Sequence, residues 1–219
     1  MREKPHGLPN SGFSLASTQR KGSRPSPASK DKDMIRKKAI RCKLFQLDSS
    51  PKLRFQRFMK NFRPEQEACP FCGASGSCQI HGYYERSLIG FCDGRPVYDR
   101  IRVMRLICRS CRHTHAVLPD FIIPYAQYSL DFVIRVLHAH LDSSATVREI
   151  CERFAITPAI LYSWKALYLE HRKLALGVLT AAVEIPGKLL LSLIRDPDLS
   201  GFLHRFSLKW NRSFLQGHP

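Results

Sequence analysis

Two short stretches decide how this chain is read: Cys69-Pro70-Phe71-Cys72-Gly73 and, closer to the middle, Cys108-Arg109-Ser110-Cys111. Each Cys-x-x-Cys pair spans one tight turn that can aim two thiolates at the same ion. Tetrahedral coordination by four sulfurs needs two such turns brought together, which an antiparallel hairpin between them does. The intervening sequence suits a hairpin: Gln79 to Ile89 contains Ile80, Tyr83, Tyr84, Leu88 and Ile89, a turn region covers Gly90 to Pro96, and a second β-favouring run follows from Val97 to Ile107. The expectation is a small zinc ribbon over residues 66–117, holding one structural Zn2+ per chain on Cys69, Cys72, Cys108 and Cys111.

Local chemistry refines that expectation. Gly73 lets the backbone after the first pair turn left-handed and point amide hydrogens at the sulfurs, whereas Arg112 meets a modest steric cost at the matching place after the second pair. Four thiolates on one zinc leave a net charge of about −2, so Arg109, Arg112 and His113 read as charge-offsetting neighbours. Cys78, Cys92, His81, His113 and His115 have no partner at short spacing and are read as non-ligands, with Cys78 the nearest to a spare. Cys42 and Cys151 stand alone. A redox dithiol or a pair of disulfides would use the same cysteines. Eight cysteines in a sequence without a secretory signal suit a reducing compartment and put zinc ahead of both.

Downstream, Leu118 to Tyr125 is apolar and bracketed by Pro119 and Pro124, which makes residues 118–128 a stiff connector rather than a free linker. Residues 129–172 carry helical signals. Ser129 is placed to cap a support helix whose Phe132, Val133, Val136 and Leu137 recur at three-to-four residue spacing. Thr146-Val147-Arg148-Glu149 matches a capping box, so a second helix begins at Val147 with Ile150, Cys151 and Phe154 on its apolar face. After a short turn Thr157 caps a third helix, and Pro158 takes its first position, where a missing amide costs nothing.

This is the pattern of a helix-turn-helix, although plain bundle helices also follow it. With Leu161, Trp164 and Leu167 or Tyr168 turned inward, Thr157, Ala159, Ile160, Tyr162, Ser163 and Lys165 fall on or near the face that would enter a major groove. Arg148, Arg153, Lys165, His171 and Arg172 are placed for phosphates.

Composition points the same way. A net charge of +17 and a pI of about 9.9 favour an anionic partner, nucleic acid first. Residues 1–43 hold twelve Lys or Arg against three Asp or Glu, interleaved with Gly, Ser and Pro, so residues 1–60 are read as a disordered basic tail. A transit peptide, or a natural start at Met34 or Met59, would also account for that stretch. The most apolar run, Leu174 to Ile194, is interrupted by Glu184, Pro186, Gly187 and Lys188, short of the roughly twenty unbroken apolar residues that span a bilayer. No membrane partner is expected; a cytoplasmic, nucleoid-associated protein is. Residues 173–219 read as short helices broken at Pro186-Gly187 and Asp196-Pro197. They would cover the back of the helix-turn-helix or meet a second copy or a transposition partner.

Taken together, Cys69-Pro70-Phe71-Cys72-Gly73, His81-Gly82-Tyr83-Tyr84-Glu85-Arg86 and Arg105-Leu106-Ile107-Cys108-Arg109-Ser110-Cys111 resemble the N-terminal zinc ribbon of bacterial insertion-sequence transposases. The likeness continues through Thr114–Tyr125 and the helices to about residue 172. It is greatest to an uncharacterised bacterial group that carries the DNA-binding half alone. The resemblance implies recognition of double-stranded DNA at the ends of a mobile element, with a free-standing transcriptional regulator or a protein- or RNA-interaction module as alternatives.

Transposase chemistry needs three carboxylates on a ribonuclease-H-like sheet, and after Arg172 only Glu184, Asp196 and Asp198 are acidic. No catalytic residue is therefore expected, and the chain is read as non-enzymatic. The fold class expected overall is α+β: a β zinc ribbon, then an all-α helix-turn-helix bundle, behind a disordered tail.

Overall fold

The computed structural model describes residues 34–37, 50–176 and 199–217. Strand β1 is Met34–Lys37 and helix α1 is Pro51–Asn61. Strands β2 (Cys78–Cys92), β3 (Arg95–Cys108) and β4 (Thr114–Pro119) follow, and then helices α2 (Leu130–Asp142), α3 (Val147–Phe154), α4 (Pro158–Leu176) and α5 (Leu199–Trp210). The three strands β2 to β4 form an antiparallel sheet, and β1 pairs in parallel with β4, giving the order β1-β4-β3-β2.

The β2–β3 hairpin is longer than the sequence reading drew it. Its strands run on to Cys92 and resume at Arg95, because Asp93 (φ 52°) and Gly94 (φ 77°) close a two-residue turn. With both residues at positive φ, the turn follows the right-handed twist of the strands that it joins. It therefore occupies two residues of the expected Gly90–Pro96 region, and the rest belongs to the ladder.

Adjacent residues on a strand face opposite sides of a sheet. Leu88 accordingly packs with Phe55 of α1, Ile101, Val103, Leu118, Phe121 and Ile122, while Ile89 and Phe91 pack with Phe132 and Val136 of α2, Ile150 and Phe154 of α3, and Leu161 of α4. This corrects the expected architecture of a ribbon followed by an all-α bundle. The helices are not a bundle set apart from the strands, because Phe91 of β2 meets the rings of Phe132 in α2 and Phe154 in α3, and the same buried cluster takes in Leu161 of α4. The stretch read as a connector is part of the same unit. The Ile89 amide donates to the Gln127 carbonyl at 2.7 Å and the Ser129 amide donates to Ile89 at 2.8 Å, so the chain entering α2 lies along the edge of β2.

Residues 51–60, assigned from sequence to the tail, instead belong to α1. Ser50 caps it, accepting from the Leu53 amide at 3.4 Å, and Pro51 sits in its first turn. The helix is pinned at two places. Arg54 donates to Asp131 of α2 at 2.9 Å, with side chains 10% and 1% exposed, and its guanidinium lies 4.7 Å from the Phe121 ring centre. Pro51 lies against Gly90, where an added Cβ would collide with the proline Cγ and Cδ. The proline ring cannot swing aside, so Gly90→Ala should lower stability by about 1–3 kcal/mol, measured by urea denaturation.

A third cluster joins α2 and α4 to the C-terminal segment: Leu137, Tyr168, Phe202, Phe206 and Phe214 are all buried together. His171 is fully buried there, its Nδ1 accepting from the Leu215 amide at 2.9 Å. The expected C-terminal helices correspond in part to α5. The remainder of the 174–194 reading, and residues 1–33 and 38–49 of the tail, fall outside the described residues apart from the last turn of α4.

Candidate metal centre and candidate nucleic-acid face

The ends of β2 and β3 are in register at Cys78 and Cys108, which brings the two cysteine turns to one end of the sheet. The turns repeat one hydrogen-bond pattern. Gly73 N donates to Cys69 O at 2.8 Å and Cys69 N to Ala74 O at 3.0 Å; Arg112 N donates to Cys108 O at 2.9 Å and Cys108 N to His113 O at 2.9 Å. Both residues expected to turn left-handed do so, Gly73 at φ 74° and Arg112 at φ 64°. Arginine takes this conformation at a steric cost that glycine avoids.

The ligating atoms of Cys69, Cys72, Cys108 and Cys111 lie within 4.8 Å of one another, an arrangement that could hold a metal ion. Cys69 and Cys111 sulfurs are 3.6 Å apart, and those of Cys72 and Cys108 are 3.7 Å apart. A tetrahedron with metal–sulfur bonds of about 2.3 Å has an edge of about 3.8 Å, so the spacing fits such an ion, while a disulfide would need about 2.05 Å. The described cysteines are all free thiols.

The crowding of the sulfurs shapes their electrostatics. Backbone amides, that of Cys111 foremost, hold the Cys108 thiol down at about 6. The His113 amide donates to Cys111, yet desolvation and the sulfurs of Cys72, Cys69 and Cys108 push that thiol up to about 12. Burial raises Cys69, and it raises Cys78 to about 11. Sulfurs packed this closely cannot all ionise by themselves, and a coordinated metal ion removes the obstacle.

The sequence reading set His115 aside with the other unpaired histidines. The residue is fully buried, with Nε2 3.2 Å from the Cys69 sulfur, so it sits directly behind the four-cysteine cluster, where such contacts orient and stabilise a thiolate. Strand alternation held the clue, since His115 and Val117 share the buried side of β4. Cys78 is buried beside the cluster, opposite Cys108. Among the expected charge-offsetting residues, Arg109 donates to Gln79 at 2.7 Å. His113 stacks on Phe71 with ring centres 3.6 Å apart, clasping one turn to the other.

The helical signals are borne by real caps. Thr146 Oγ1 accepts from the Glu149 amide while Glu149 accepts from the Thr146 amide at 2.7 Å, and these bonds hold the Glu149 carboxyl below the usual range. Ala155 turns the chain at φ 49°, and Thr157 accepts from the Ile160 amide at 3.3 Å. Ser129 precedes α2 but its side chain makes no cap bond; the hydroxyl is buried.

On α4, Leu161 and Tyr168 are fully buried, whereas Thr157, Ala159, Tyr162 and Ser163 are exposed and Ile160 is half-buried. Arg148 is exposed and paired with Glu152 at 2.9 Å, and Arg153 is exposed with its guanidinium over Phe154. Lys165 and Arg172 are half-buried. His171 points into the core instead of toward a phosphate, which corrects its assignment.

No helix among the described residues is long and apolar enough to cross a membrane. A family model described as a domain of unknown function (DUF6431) matches residues 69–154, from the first cysteine of the cluster to the end of α3. No curated protein and no solved structure matches the chain.

Proposed function

We propose that this chain is a non-enzymatic, zinc-stabilised DNA-binding protein, related to the DNA-recognition half of a transposase. The cysteine cluster would hold one Zn2+ as a closed structural site. An all-sulfur donor set is soft and suits zinc, and four protein ligands leave no open position for a water or substrate. Cys69, Cys72, Cys108 and Cys111 would supply the thiolates, with His115 behind them.

The observation that carries the DNA reading is the two-sidedness of α4. A buried back of Leu161 and Tyr168 fixes the helix against α2 and α3, and Thr157, Ala159, Tyr162 and Ser163 stand exposed at its N-terminal end. Preceded by α3 and the Ala155–Thr157 turn, this is the disposition of a recognition helix, whose N-terminal residues meet base edges. Arg148 and Arg153 are the exposed cations nearest in sequence. The overall charge of +17 supplies the attraction to phosphate.

Binding to random duplex DNA should fall as salt rises, with a slope of about 0.9 per neutralised phosphate on logarithmic axes. Reversing Arg148→Glu and Lys165→Glu together should weaken binding at low salt and reduce the slope by about one for each phosphate that is no longer neutralised. Fluorescence anisotropy at two salt concentrations measures both. Unchanged affinity and slope in the doubly reversed, folded protein would remove α3 and α4 from the interface.

A further inference from the structure

A cleft of about 900 Å³ opens beside the metal centre, between the sheet and the chain that leads into α2. Its size lies at the upper end of the roughly 300–1,000 Å³ usual for small-molecule sites. Arg86, Arg105 and Arg112 line it, and no lining residue is acidic. Cys111 reaches one part of it, while Arg86 extends elsewhere, donating to the carbonyls of Ile123 and Ala126. Arg105 donates to Thr114 at 2.9 Å and stands opposite Gly82, whose missing side chain leaves its surroundings open.

Two tyrosines, Tyr84 and Tyr125, share this lining. Tyr125 is the telling one. It is held at φ 61°, a conformation uncommon for a residue with a bulky side chain, and the residue is 67% exposed. The Ile123–Ala126 turn accounts for that conformation: the Ala126 amide donates to the Ile123 carbonyl at 3.3 Å, and Arg86 donates to the carbonyls at both ends, which sets the tyrosine out on the rim of the cationic cleft.

We propose that this cleft binds an unpaired nucleotide, Arg105 and Arg112 holding its phosphate and Tyr125 stacking on its base. Paired bases keep their faces covered by their neighbours in a duplex, whereas an unpaired base offers its whole face to an aromatic ring. The nucleotide could be supplied by single-stranded DNA or by a free nucleoside monophosphate. The site is separate from the duplex reading, since no residue of α3 or α4 lines it.

The test uses the full chain with a labelled oligo-dT of about ten nucleotides, followed by anisotropy at low salt. Tyr125→Gly is the decisive variant, because glycine is at ease at positive φ and the substitution should keep the melting temperature while removing the ring. Oligo-dT binding should weaken about 5- to 150-fold, the loss of one stacked base. Arg105→Ala should also weaken it and flatten its salt dependence. Displacement of the oligonucleotide by thymidine monophosphate would support a free nucleotide as the natural source; resistance to it, with the variant effects intact, would support single-stranded DNA. A folded Tyr125→Gly protein that binds oligo-dT as well as the parent overturns the proposal, as does absence of oligo-dT binding by the parent. Duplex affinity should be unchanged in Tyr125→Gly, so failure here and failure of the α4 reading give different results.

Discussion

Cys108→Ser should abolish protection of the β2–β3 hairpin in amide hydrogen exchange, and a strong chelator should do the same to the parent protein. Cys108 is fully buried at the junction of β3 with the second cysteine turn, in a cluster with Cys69, Cys78, Leu106, Val117 and Phe62. The proposed zinc would add to the burial of Phe62, Leu106 and Val117, with Phe58, Met59 and Met104 packed against them. A structural zinc site is worth about 10–16 kcal/mol to the fold that makes it, as much as the roughly 5–15 kcal/mol by which a whole domain is stable. The damage should spread, because β2 continues from Cys78 into the Phe91 contacts that seat α2 and α3. Cys92→Ser, at the opposite end of the hairpin, should change little.

The second large effect concerns the ion pair between α1 and α2. Truncating either partner, Arg54→Ala or Asp131→Ala, should cost about 3–5 kcal/mol in urea denaturation, because each leaves the other charge buried without its counterpart. Arg54 is the more exposed of the two by a small margin and also lies on Phe121, so its loss removes packing as well as charge. The paired replacement Arg54→Met with Asp131→Leu should recover most of the loss, since an apolar pair of similar volume carries no desolvation penalty. If both single variants matched the parent in stability, α1 would be a loosely held appendage and not a structural part of the sheet.

These two features differ in how visible they are in the sequence. The cysteine turns, the left-handed Gly73 and Arg112, the Thr146–Glu149 capping box and the Thr157-Pro158 helix start all obey rules that act within a few residues. Each is legible from its neighbouring residues alone, and each is present in the fold. Arg54 and Asp131 are far apart in the chain, and nothing in either neighbourhood announces the other. Strand β4 escaped for a related reason. Thr114–Pro119 ran into a proline-bracketed apolar stretch that reads as a connector, and only its pairing with Arg105–Ile107, made possible by the second cysteine turn, turns it into a strand.

The expected separation of ribbon from helices failed on the same ground. Ile89 and Phe91 look like ordinary strand residues locally, and their place beneath α2 and α3 is a long-range fact. His115 and Tyr125 show the limit for the candidate sites. A single histidine without a spaced partner gives no sign that it backs a thiolate, and a tyrosine beside a proline gives none that its backbone turns left-handed.

The central claim is that a metal ion held by four sulfurs closes this fold. Native mass spectrometry of the purified, reduced chain tests it most directly, because mass reports the bound ion and charge state reports compactness. About one zinc per chain is predicted, with the ion lost and the charge states shifted to those of an expanded chain after chelation. A compact, fully reduced chain carrying no metal would contradict the account.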